Sequence, residues 1–151
     1  MNPALSFTLK AFDQLSPREL YALLRLRQEV FVIEQNCPYL DADGIDLQCW
    51  HLRGLDAEGA LQAYLRIVPP GLKYPEPSIG RVISAGTVRG SGAGRALMRE
   101  GVAHAQALFP DRGIRISAQA RLRGFYEDFG FVVEGAEYLE DNMPHIEMFR
   151  R

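Results

Sequence analysis

Lysine is nearly missing from this chain: Lys10 and Lys73 are its only two, beside fifteen arginines in 151 residues. A Walker-type phosphate loop needs Gly-Lys-Ser/Thr, and the chain has no such triplet, which excludes ATP binding of that kind. Cysteine is almost as scarce. Cys37 and Cys49 form neither a CxxC pair nor a zinc-ligand spacing and are too few to staple a domain of this size, so they read as free structural thiols, with no metal site expected. Long apolar runs are lacking too. No stretch approaches the roughly 18 apolar residues of a membrane span, and the start, MNPALSFTLKAF, has no basic segment leading into an apolar one. These absences imply a soluble, cytoplasmic protein. Excess positive charge is also wanting: a net charge of -2 and a pI near 5.9 argue against a nucleic-acid or acidic-membrane partner.

What is present points to one globular domain. An apolar content of 47% gives 151 residues enough material for a real core, and no repeat or low-complexity tract divides residues 1–151. Charge is unevenly placed. Between Ile79 and Arg123 stand eight arginines and only two acids, Glu100 and Asp111, a local balance of +6 that leaves -8 for the rest. Inside the positive stretch lies VRGSGAGRALM, residues 88–98, where glycines alternate with small residues before an alanine-rich run. Such a turn lets backbone N–H groups approach a ligand, and a helix that starts there adds partial positive charge, so an anion such as a phosphate is the expected guest. A tight turn with no ligand is the plainer alternative.

Periodicity orders the chain. Ser6–Phe12 alternates as a half-buried strand, and Ser16, Pro17 and Glu19 form a helix start with a capping box. The helix carries Leu20, Leu23, Leu24, Val30 and Phe31 on its apolar stripe and ends near Gln35. An acidic loop, Pro38 to Asp46, leads to two strands, CWHLRGL and ALQAYLRIV, joined as a hairpin. After a proline-rich loop, Ser78–Ala85 is a strand, the glycine turn follows, and Leu97, Gly101, Ala105 and Leu108 mark a helix ended by Pro110. Ile114–Ala120 completes a βαβ unit. A short helix from about Arg121 to Phe129 stops at Gly130, and FVVEG and HIEMFR close the chain as strands. The order β-α-β-β-β-α-β-α-β-β predicts an α/β fold with a mixed sheet.

A dinucleotide fingerprint fits poorly. Gly90, Gly92 and Gly94 give G-x-G-x-G with Arg95 at the third glycine's place, and the following strand ends in Ala118-Gln119-Ala120 without an acid for a ribose. By contrast, Arg89-Gly90-Ser91-Gly92-Ala93-Gly94 resembles the R/Q-x-x-G-x-G/A signature of the GNAT acetyltransferases, between a strand and a helix as in that family. FYEDFGF, residues 125–131, resembles the family's FY-x-x-x-GF segment, while LRQEVFVIEQNCPY and YLEDNMPHIEM resemble the ElaA-like branch. The pattern spans nearly the whole chain. Ala85-Gly86 stands where many relatives have a proline.

The resemblance implies a GNAT-type acyl-CoA N-acyltransferase fold, a mixed central sheet flanked by helices, with acetyl-CoA as cosubstrate. It implies that backbone N–H groups of Gly90, Ser91, Gly92, Ala93 and Gly94 hold the pyrophosphate, with Arg89 adding positive potential. Val82 and Ile83 are the implied backbone partners of the pantetheine arm, with Gln119 on its other side. Tyr126 matches the tyrosine that protonates the leaving sulfur; spacing alone reads it as a core aromatic beside Leu122, Phe125 and Phe129. An alkylamine with a pKa of about 10.4 needs a base. Glu34, His51 and His145 are the candidates, each with an ordinary structural reading as a solvated or core residue. The acids of two loops, Asp41, Asp43 and Asp46 and then Glu137, Glu140 and Asp141, are candidate attractors of a cationic amine. The expected activity is direct acetylation of an amine on a small molecule or peptide, by a monomer or homodimer. A non-catalytic acetyl-CoA-binding regulatory module on the same fold is the second reading, and a nucleotide-binding protein the third.

Overall fold

The computed structural model describes residues 4–151. β1 (Ser6–Ala11) precedes α1 (Pro17–Arg27), whose start is the expected capping box: Glu19 N–H donates to Ser16 Oγ (3.1 Å) and Ser16 N–H to Glu19 Oε1 (2.8 Å). The helix then widens into a π-helical segment, Gln28–Glu34, where Gln35 N–H reaches back to the Val30 carbonyl (2.9 Å). β2 (Trp50–Leu55), β3 (Leu61–Val68) and β4 (Ser78–Ser84) follow, so the expected hairpin is present. α2 (Ala93–Leu108) starts directly at the glycine turn. β5 (Ile114–Gln119) and the short α3 (Arg123–Glu127) lead to β6 (Val132–Val133), β7 (Tyr138–Glu140) and β8 (Met143–Arg150).

The sheet expected to be one mixed layer takes the form of two antiparallel ones. The first runs β1-β2-β3-β4; the second runs β5-β8-β6, with β7 also on β8. They meet at β4 and β5, which the crossover through α2 connects. Among the described residues no strand ladder joins this pair; a bond from Arg115 N–H to the Pro77 carbonyl (3.0 Å) ties their starting ends. Beyond it they part. The separation coincides with a bulge in β4: Tyr64 pairs with Ile83 and Arg66 with Gly80, so Leu65 alone opposes Arg81 and Val82, and Arg81 has φ +52°.

Helices cover both faces. α2 packs through Leu97, Met98 and Val102 onto Leu52, Leu65 and Ile67 of the first sheet and Ile116 and Met148 of the second. Gly101 permits this approach, since a Cβ there would stand 2.6 Å from Leu65 Cδ2. On the opposite face Leu23, Leu26 and Val30 of the first helix bury Tyr64 and Ile83. Loop 38–46 is pinned by ions: Arg27, fully buried, binds Asp41 (2.6 Å) and Asp46 (2.8 Å), while Arg66 binds Asp43 (2.6 Å) and Asp46 (2.9 Å). Burial alone would raise the Asp46 carboxyl pKa, but Arg27 and then Arg66 outweigh it and hold it below the usual range. These three aspartates therefore do not await a cationic amine, as the loop's composition suggested. They anchor the loop.

Candidate active site

The turn between β4 and α2 is anchored without a proline. Ala85 N–H donates to the Gln62 carbonyl (2.8 Å), Thr87 Oγ1 to Gln62 Oε1 (2.8 Å), and the Arg89 guanidinium to the Ser84 carbonyl (3.0 Å). Gly90 and Gly92 have φ of +80° and +90°, a region that favours glycine, and Gly92 caps the sixteen-residue α2. A Cβ on Gly90 or Gly94 would meet nothing within 4 Å, so open space lies in front of the turn and the first helical turn. Ser91 Oγ is turned inward to the Val88 carbonyl, and Ala93 is buried. Both flanking arginines have acid partners, Arg89 with Glu34 and Arg95 with Asp128 (2.8 Å), so positive potential at the turn comes chiefly from backbone N–H groups and the helix start.

From this turn a groove follows the diverging edge of β4. Val82, Ile83 and Ser84 line one wall; Gly94, Leu97, Phe125 and Tyr126 line the other. A second groove opens between β4 and β5 toward the first helix, among Phe31, Arg81, Gln119, Glu140 and His145. Tyr126 also lines that one. Its ring is 7% exposed and packs edge-on against Phe125 and Phe131, so it is both the core aromatic that spacing suggested and a wall of both grooves. Burial pushes its phenol up to about 12, against the opposing charge of Arg121, so the hydroxyl keeps its proton at neutral pH.

The three candidate bases separate clearly. His51 is fully buried: Nε2 donates to the Asp46 carbonyl (2.9 Å), Nδ1 accepts from the Tyr64 hydroxyl (2.6 Å), and burial lowers its pKa. It lines neither groove. With both nitrogens engaged and no opening, it does not meet the expectation of a base. Glu34 is no better placed, since it sits at the end of the π-helical segment, ion-paired to Arg89 and outside both grooves. His145 is the one in the cleft. Its Nδ1–H donates to the Met143 carbonyl (2.8 Å), which leaves the Nε2 lone pair free, 3.6 Å from Glu140 Oε2. Gln119 Nε2 donates to Gln35 Oε1 (3.2 Å), and Gln119 Oε1 is buried with no partner among the described residues. Sequence reasoning did not single out Gln35 or Phe31, which only the widened helical turn brings to the cleft.

Comparison with known proteins now decides the family. Residues 71–151 match the acetyltransferase (GNAT) domain family. A UPF0039 protein of Synechocystis is 42% identical over 147 residues, covering 97% of this chain and 96% of that one. Protein ElaA of Escherichia coli is 42% identical over 140 residues, 91% of each. The chain belongs to the GNAT acetyltransferase family, in its ElaA-like branch. Solved structures agree: an acyl-CoA N-acyltransferase from Pseudomonas aeruginosa superimposes with a TM-score of 0.92 at 44% identity, covering 97% of this chain and 99% of that one. Escherichia coli ElaA does so with 0.90 at 40% identity and the same coverage. The fold is thus that of the acyl-CoA N-acyltransferases, which combine an acyl-CoA with an acceptor. Among the described residues no helix is long and apolar enough to cross a membrane, and no three His, Cys, Asp or Glu side chains gather as metal ligands.

Proposed function

We propose that this chain is an acetyl-CoA-dependent N-acetyltransferase that acetylates a primary amine of a small molecule or peptide by direct attack in a ternary complex. The observation that carries the reading is the position of Tyr126, a wall shared by the groove that starts at the glycine turn and the groove that holds His145. The open space before Gly90 and Gly94 fits a pyrophosphate, which backbone N–H groups of Gly90, Gly92, Ala93 and Gly94 would bind at the helix start; the Ser91 N–H, expected to join them, is already given to the Val88 carbonyl (3.2 Å). Bulged Val82 offers backbone groups to the pantetheine arm, whereas Ile83, expected to do so as well, pairs its backbone with Tyr64 of β3 and lends the groove only its side chain; the unpartnered Gln119 Oε1 is an acceptor for one of the arm's amides.

When bound, acetyl-CoA supplies an activated acyl group as a thioester. The chain's own residues handle the protons. His145 Nε2, directly or through a water, takes a proton from the acceptor ammonium, and Glu140 beside it stabilises the imidazolium that results. The Tyr126 hydroxyl donates to the sulfur as it leaves. Glu34 and His51 have no part in this scheme.

Release of CoA thiol over a panel of amines tests the reading; binding of acetyl-CoA with no release for any amine would favour the regulatory module. Gly94→Asp tests the cofactor site more cleanly than Gly92→Asp, whose left-handed backbone adds strain. An aspartate in the first turn suits the helix while its carboxylate occupies the proposed phosphate space. Acetyl-CoA affinity should fall more than tenfold, about 1.4 kcal/mol, with thermal melting unchanged. Unaltered affinity in the folded variant would overturn the pyrophosphate assignment.

A further inference from the structure

One primary amine already stands in the proposed acceptor groove. Lys73, from the loop before β4, lines it together with Tyr126, Ser117, Glu140 and His145. No ion pair or hydrogen bond ties its Nζ to another described residue. The charges that bear on it are Glu140 and Asp43, which attract the ammonium, and Arg66 and Arg81, which repel it. The residue keeps an exposed surface, and burial against the groove wall is the leading cause that lowers its pKa. Lys10, the only other lysine, is held by Glu19 (3.0 Å) far from the cleft on the outer edge strand β1.

We propose that, when no acceptor amine is present, the chain acetylates its own Lys73. The inference rests on the acetyltransferase reading above and adds a modification site to it. Lys73 Nζ first gives up its ammonium proton to His145. The nitrogen then bonds to the acetyl carbonyl carbon as the carbon–sulfur bond breaks, the thiolate gains a proton from Tyr126, and the nitrogen's second proton passes through water to restore that hydroxyl, leaving the first on His145 as the one proton released. The sum is ammonium plus thioester giving amide, thiol and one proton. The product is uncharged, so a cation is lost opposite Glu140 in the acceptor groove.

The test uses the full chain with acetyl-CoA alone, followed by peptide mass spectrometry. Lys73 should gain one acetyl group at least tenfold faster than Lys10, at a rate per molecule that does not change on dilution. A saturating good acceptor should suppress the modification, and Tyr126→Phe should slow it at Lys73 but not at Lys10. A readout that needs no cofactor accompanies these: trace labelling with acetic anhydride at neutral pH should modify Lys73 ahead of Lys10. Equal acetyl-CoA-driven rates at the two lysines, indifference to Tyr126→Phe, or faster anhydride labelling at Lys10 would each overturn the inference. If CoA release with external amines persists in that event, the acetyltransferase reading stands without it; if no amine supports release, that reading fails on its own terms.

Discussion

Histidine, tyrosine and an acidic residue come together twice in this molecule. Around His51 the hydrogen bonds close on themselves: one ring nitrogen takes the Tyr64 hydroxyl, the other gives to the Asp46 backbone, and the Asp46 carboxylate is shared by Arg27 and Arg66. Around His145 they do not close. One nitrogen is fixed by the Met143 carbonyl, the other faces Glu140 at 3.6 Å, and Tyr126 stands in the same groove with no partner of its own among the described residues. The same residue types thus build a stabilising network where both ring nitrogens are satisfied, and an open groove where polar atoms are left over. Substitutions should therefore fall into two classes, one read in stability and the other in rate.

The largest effect belongs to the closed site. Asp46→Ala leaves the buried guanidinium groups of Arg27 and Arg66 short of a partner, a loss of about 3–5 kcal/mol on the usual scale for a broken buried ion pair. Against a domain stability of about 5–15 kcal/mol, that should lower the urea midpoint sharply or prevent folding. A pH signature accompanies it. Burial works to raise the carboxyls of Asp43 and Asp46, but the arginines prevail and hold both below the unfolded value of about 3.9. As pH falls below about 4, the unfolded chain takes up protons first, so the stability these groups contribute is lost through their folded values. The wild-type urea midpoint should drop along this acid limb. In Asp46→Asn, if it folds, the drop should be shallower, and an unchanged slope would show that Asp46 is not part of the coupling.

The two histidines sharpen the comparison next. His145→Asn keeps a donor for the Met143 carbonyl and removes Nε2, so kcat should fall about 10²–10⁴-fold, the range for general acid–base catalysis, with little change in melting temperature. His51→Asn should do the reverse, costing about 1–3 kcal/mol through a buried group left unpaired while the folded fraction keeps its kcat within about twofold. Should His51→Asn lower kcat in a fully folded protein, the assignment of roles would have to be exchanged.

Local chemistry is what the sequence made readable. Ser16, Pro17 and Glu19 announce a helix start within four residues, and the glycine turn is legible for the same reason, since its backbone angles and the helix after it are both written in adjacent residues. The hairpin of β7 and β8 was missed although a sign was present. Asp141-Asn142, with φ of +50° and +60°, is a two-residue turn, but a three-residue strand before it has too little pattern to be seen. The cleft itself is not local at all. It depends on a bulge in β4 that puts Arg81, a residue with no special turn propensity, at positive φ, and on a helix that widens near its end. The choice between His51 and His145 was closed to sequence for the same reason: each lies on a strand, and what separates them is Tyr64 and Asp46 on one side and Glu140 on the other.

The smallest effects come from the tyrosines, and they are the finest test of the division. Tyr64→Phe removes a hydroxyl that donates to His51 Nδ1 at 2.6 Å inside a fully buried pocket. The nitrogen left behind finds no water, so about 1–3 kcal/mol of stability should be lost and kcat of the folded protein should hold. Tyr126→Phe removes a hydroxyl that has no such partner, and the ring remains against Phe125 and Phe131. Stability should then move by no more than about 1 kcal/mol, while kcat should fall about 10²-fold with KM for acetyl-CoA little altered, as expected of a donor that acts only as the sulfur leaves. Paired urea titrations and steady-state kinetics on the two variants give four numbers that must cross: large stability loss with retained rate for one, retained stability with lost rate for the other. If Tyr126→Phe instead keeps its kcat within about twofold, the hydroxyl is a bystander in the groove, and the sulfur must take its proton from water or from the ammonium that attacks it.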